Sequence, residues 1–134
     1  MLVYSVSYIA ASGLFFIVDM VWLSIMASRF YRPTLGDMAL SGVNVAPAIA
    51  FYILYPIGLV IFAILPGLRS GSMTTALLYG ALFGFFTYAT YDLTNQATLR
   101  NWTIQLTLVD IVWGSVLAAA AAMAGYLIAI KLSY

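Results

Sequence analysis

Asp19, Asp92 and Asp110, three of the chain's four carboxylates, lie in or at the ends of long apolar runs. Two of them open the same four-residue word, Asp19-Met20-Val21-Trp22 in the first run and Asp110-Ile111-Val112-Trp113 in the last. A charged side chain at bilayer depth costs roughly 2.5 to 3.5 kcal/mol on insertion scales, so an acid kept there lines a cavity, pairs with another group or carries protons. Glutamate, histidine and cysteine are absent from the sequence. Carboxyl chemistry therefore falls to Asp19, Asp37, Asp92 and Asp110, while disulfides, thiol nucleophiles, thiolate metal sites and histidine switches are excluded.

The elements that must position these acids are transmembrane helices. Of 134 residues, 65% are apolar and only 7% are charged, and the mean hydropathy is +1.06, far above that of a soluble domain. Apolar segments of about 20 residues, the length that spans a bilayer, use up nearly all of the chain. The pattern predicts an all-α transmembrane four-helix bundle forming a single domain, with spans at about 4–28, 46–65, 73–96 and 108–130 and both termini on the same side. No basic n-region precedes Tyr4 and the run that follows is too long for an h-region, so the first segment is expected to persist as a helix. Residues 29–45, with Pro33, Gly36, Asp37, Gly42 and Asn44, predict a loop around a short apolar turn. Pro47 enters the second span, Pro56 predicts a kink in it and Pro66-Gly67 closes it. Ala118 to Ala122, and Gly80 with Gly84, form small-residue faces that let helix backbones approach closely, either within one bundle or at a homodimer seam. A net charge of +1 without any run of like charges offers neither a nucleic-acid surface nor a polybasic lipid-binding segment.

In a four-span topology the first and last helices run antiparallel, so the two equal words meet only if their depths mirror each other. They do. Asp19 precedes Arg29 by ten residues, at most about 15 Å at 1.5 Å per residue, while Asp110 stands near the start of its helix and Asp92 near the end of the third. All three acids thus fall in the membrane half next to residues 29–45 and 92–107. On helical stripes Asp19 sits with Phe15, Phe16, Trp22 and Leu23, Asp110 with Leu106, Thr107, Trp113 and Gly114, and Asp92 with Tyr88, Ala89, Asn95 and Gln96. Tyr52 and Tyr55, with the Leu54 carbonyl region loosened by Pro56, supply a further wall. Against a site stands the use of Asp, Asn and Tyr as interhelical hydrogen-bond glue, about 0.6 kcal/mol each, and Trp102 reads as an interface-belt residue. Arg29 and Arg100 are the candidate counter-ions. Arg29, Arg32 and Arg100 on one side against Arg69 and Lys131 on the other leave the orientation open.

The stretches Asp19 to Trp22, Tyr55-Pro56-Ile57-Gly58, Tyr88 through Leu99 with Trp102, and Asp110 to Gly114 resemble the small bacterial four-span membrane proteins grouped as a domain of unknown function. The resemblance covers nearly the whole chain. It implies fold and location only, an integral protein of the bacterial inner (cytoplasmic) membrane.

The candidate catalytic residues are Asp19, Asp110 and Asp92, and the candidate ligand-binding residues are Trp22, Tyr55, Tyr88, Asn95, Arg100 and Trp113. One expectation is a pocket that binds, or acts by acid/base chemistry on, a lipid-like or small hydrophobic molecule, with one aspartate kept neutral and another ionised. A second is a proton-coupled carrier similar to small four-span exporters that work as dimers; those depend on one mid-membrane glutamate, whereas here the acids crowd one leaflet. A third is an accessory subunit of a larger membrane complex. No nucleotide loop, His-box or nucleophile elbow appears, so no cofactor is expected. Three Asp with Asn95 offer oxygen ligands, yet no Asp-x-x-x-Asp pair on one helix pre-organises an ion, and no metal is assigned. The expected partners are membrane lipids.

Overall fold

The computed structural model describes residues 1–133, and Tyr134 lies outside them. Four long helices account for the chain, at Leu2–Met38, Val45–Ser70, Met73–Thr98 and Ile104–Ser133, and no strand occurs among the described residues. The first, second and fourth are long and apolar enough to cross a membrane. The third is diluted by Thr74, Thr75, Thr87, Thr90 and Thr94 and by its polar end. Its outer threonines are nonetheless suited to an apolar medium, because Thr90, Thr94 and Thr98 each turn the hydroxyl back onto the carbonyl four residues earlier, at 2.6, 2.5 and 2.9 Å. A hydroxyl satisfied within its own helix asks nothing of the surroundings.

The first and second helices both run past their expected ends, and proline explains both. The first helix does not stop at Ser28 but widens into a π-helical turn at Ala27–Tyr31 and continues through Arg32–Leu35 to a 3-10 turn at Gly36–Met38. The second does not close at Pro66-Gly67 but passes through a π-helical turn at Val60–Ile64 into Leu65–Ser70. In each case a proline, Pro33 or Pro66, follows two residues after the π turn. Proline lacks the N–H and its ring crowds the carbonyl of the preceding turn; an i→i+5 turn makes room for the ring and lets the helix run on. Around Pro56 the helix stays α-helical, and Tyr8 donates its hydroxyl to the Ile53 carbonyl at 2.9 Å. The second helix ends at Gly71, whose φ of +64° only glycine adopts freely. The Ser72 side chain then accepts from the Thr75 N–H at 3.1 Å and starts the third helix. Thr103 does the same for the Leu106 N–H at 3.1 Å, so the fourth helix begins at Ile104 rather than near 108.

The fourth helix is the spine, packing most extensively on the third and next on the first. Its small residues make this possible: a Cβ at Gly80 would lie 2.7 Å from the Ala122 Cβ and 3.0 Å from the Ala118 carbonyl oxygen. The Gly80 and Gly84 face is thus occupied within the chain. Ala11, Phe15, Leu59, Ala63, Ile64, Leu117, Ala118, Ala121 and Ala122 form the buried centre. Outside it, Ile17, Val21, Ile53, Phe62, Leu82, Phe86, Val112 and Val116 are exposed, an apolar exterior of the kind lipid covers. Gly13 is the contrasting glycine, with nothing within 4 Å of where its Cβ would be. Gly13→Ala is expected to stabilise the fold by about 0.5–1 kcal/mol through helix propensity alone, read as a raised midpoint of unfolding in detergent; a lowered midpoint would mean that this face is covered.

Candidate functional site

The two equal words meet and exchange partners. Trp113 donates its indole N–H to Asp19 Oδ1 at 3.0 Å. Trp22 donates to the Tyr31 hydroxyl at 3.0 Å, and Tyr31 in turn donates to Asp110 Oδ1 at 2.9 Å. Each tryptophan thus serves the acid of the other word, one directly and one through a tyrosine. The two indoles stack on one another, with centroids 4.1 Å apart and planes 8° from parallel. This exchange follows from the antiparallel helices: in each word the indole sits one turn beyond its acid, and mirrored depths bring each indole level with the opposite acid.

Asp19 is 6% exposed, and its second oxygen accepts from the Tyr52 hydroxyl at 2.5 Å. A carboxylate with both oxygens taken by O–H and N–H donors is satisfied without a counter-ion. Tyr52 comes from the second helix, where Phe15 packs against both Tyr52 and Tyr55. Tyr55 shares a hydrogen bond of 2.9 Å with the Thr87 hydroxyl and so ties the second helix to the third. Tyr31 reaches Asp110 because the π turn and the helix beyond it carry the chain past the expected exit. The Asn101 amide holds that extension by donating to the Leu35 carbonyl at 3.0 Å, from a residue with φ of +67°.

Asp92 is different. Its side chain is fully buried, and neither carboxyl oxygen meets an N–H or hydroxyl donor among the described residues. It lies close enough to Asp110 for the two carboxyls to act on one another. Nearby, Trp102 donates to the Thr107 hydroxyl at 3.0 Å, which donates to the Gln96 side-chain oxygen at 2.7 Å. One turn before Asp92, the Tyr88 ring lies over Gly114, where any side chain would collide with it.

All three acids belong to the lining of one cavity of about 790 Å³. Its wall includes the expected Trp22, Tyr55, Tyr88 and Trp113. Asn95 and Arg100 are not in the lining; Asn95 is half-buried beside the site and Arg100 is exposed, in the turn after the third helix has ended at Thr98. The arginine in the lining is Arg32, an exposed residue at the cavity mouth, rather than Arg100 or Arg29. Trp102, read from the sequence as a belt residue, lines the cavity as well. Sequence reasoning missed Tyr31 and Thr87. Tyr31 was assigned to a loop, and the available signal was Pro33 two residues later; nothing in the spacing marks Thr87.

A helical membrane protein with an acid cluster enclosed at one end of its bundle is the class that this fold and this geometry define. Within that class the chain belongs to the family described as "Predicted membrane protein (DUF2177)", whose model matches residues 4–127. No curated protein and no solved structure matches the chain.

Proposed function

We propose that the cavity binds an amphipathic, lipid-like molecule, its polar head at Asp92 and Asp110 and its tail along Leu23, Phe51 and the aromatic wall. Asp92 carries this reading. A buried carboxyl without a hydrogen-bond partner is costly, several kcal/mol where nothing compensates it, and such groups persist where a ligand, ion or water completes them. The volume of about 790 Å³ falls in the range of small-molecule sites, as does an apolar wall with a few convergent polar groups. Asp19, held by Tyr52 and Trp113, is the structural acid of the set. Asp110, held through one oxygen by Tyr31, and Asp92 are the pair placed to exchange a proton with bound substrate, so that binding and acid/base chemistry share one site. With each helix crossing once, both termini lie on the same side of the membrane.

Native mass spectrometry with lipidomics on protein extracted from its own membrane tests the reading. Wild type is expected to retain a small amphiphile that Asp92→Asn and Asp110→Asn lose while eluting as compact protein. Wild type that flies without any retained molecule, or variants that keep it undiminished, would overturn the proposal.

A further inference from the structure

We infer that the head of the ligand is a protonated amine, a deepening that rests on the binding role proposed for this cavity. The charge of the lining is the first argument. Asp19, Asp92 and Asp110 face the cavity, and among the described lining residues only Arg32, at the exposed mouth, carries positive charge. An anionic head would meet three carboxyls in an apolar enclosure, and a neutral head would leave Asp92 and Asp110, unlike the fully hydrogen-bonded Asp19, without a compensating charge.

The free acceptors are the second argument. Both oxygens of Asp19 and one of Asp110 are occupied by protein donors, whereas neither oxygen of fully buried Asp92 meets an N–H or hydroxyl donor, its carboxyl neighbour being Asp110. What fits there is a group that donates hydrogen bonds without needing to accept them, which describes an ammonium.

The third argument is the wall. Trp22, Trp102, Trp113, Tyr31, Tyr55, Tyr88 and Tyr91 all face the same space. Aromatic faces beside carboxylates are the surroundings in which desolvated ammonium groups are held. A single divalent ion suits the geometry less, because no three acidic groups among the described residues stand close enough to hold one.

All three tryptophans of the chain line the cavity, so intrinsic fluorescence reports its occupancy. Purified protein in nonionic maltoside micelles is titrated with dodecylamine, dodecanol, dodecyl phosphate and butylamine at neutral pH. Dodecylamine is expected to change the emission saturably, with at least tenfold tighter binding than dodecanol or dodecyl phosphate. Asp92→Asn is expected to lose at least tenfold for dodecylamine and little for dodecanol. The comparison of amphiphiles on wild type needs no variant to fold. Equal binding of amine and alcohol, or preference for the phosphate, would overturn the amine and leave the amphiphile site standing. Butylamine binding as tightly as dodecylamine would support the amine head but remove the lipid tail, pointing to a free soluble amine. No saturable response to any probe would sink both readings.

Discussion

Asp19→Leu is expected to destabilise the folded chain by about 2–4 kcal/mol, because it strands two donors at once. Tyr52 and Trp113 both point at Asp19, and a buried donor left without its acceptor costs about 1–3 kcal/mol. The lower part of that range applies, since in a membrane the unfolded reference also finds partners and single interhelical hydrogen bonds average about 0.6 kcal/mol. Asp19→Asn keeps one acceptor oxygen and is expected to cost about 1 kcal/mol. Denaturation in mixed micelles, followed by tryptophan emission, measures both. If Asp19→Leu stays within about 0.5 kcal/mol of wild type, the size of an ordinary surface substitution, these contacts do not hold the fold.

The exchange of partners between the two words gives that experiment a sharper form. A double-mutant cycle of Asp19→Leu with Trp113→Phe, which keeps an aromatic ring and removes the N–H, should show coupling of about 0.6–1.7 kcal/mol. Asp19→Leu with Trp22→Phe should show less, although Trp22 belongs to the same word, because Trp22 serves Asp110 through Tyr31. Coupling within a word that equalled coupling across words would contradict the exchange.

The meeting of Asp19, Asp92 and Asp110 was legible because charge is rare in this chain and because helical rise converts position into depth. Three acids at matching depths on antiparallel helices have few places to go. The details that escaped depend on what one helix cannot know about another. Periodicity places Asn95 and Gln96 alike on the stripe of Asp92, but it is Gln96 that the fourth helix engages, through Thr107, which itself accepts from Trp102. Arg100 is expected as a counter-ion, yet it falls in the turn beyond Thr98, where it is exposed. Pro33 was taken as a loop residue because proline ordinarily ends a helix. The π turn before it reverses that outcome, and with it the place of Tyr31. Apolar composition marks all four segments as spans, and three of the four helices are long and apolar enough to cross a membrane; the third is understood only once its threonine hydroxyls are seen to close on their own backbone.

Gly84 offers the second large effect. A Cβ there would fall on the Gly114 carbonyl oxygen and lie 2.7 Å from the Ala118 Cβ. A carbonyl inside a helix cannot turn aside, so the third and fourth helices must separate to admit even one methyl group. Alanine gains about 1 kcal/mol of helix propensity over glycine, and overpacking costs about 1–3 kcal/mol. Gly84→Ala is therefore expected to lose up to about 2 kcal/mol net, where the same change at open Gly13 gains stability. The two substitutions add the same atoms to the same kind of backbone, so their difference isolates the helix contact. Gly84→Leu is expected to abolish the compact species in size-exclusion chromatography. Gly114→Ala meets the Tyr88 ring rather than backbone; its smaller stability loss should come with a displaced Tyr88 and weakened ligand retention. Gly84→Ala as stable as Gly13→Ala would show that the third and fourth helices do not touch at Gly84, and would remove the support that holds Asp92 and Tyr88 against Asp110.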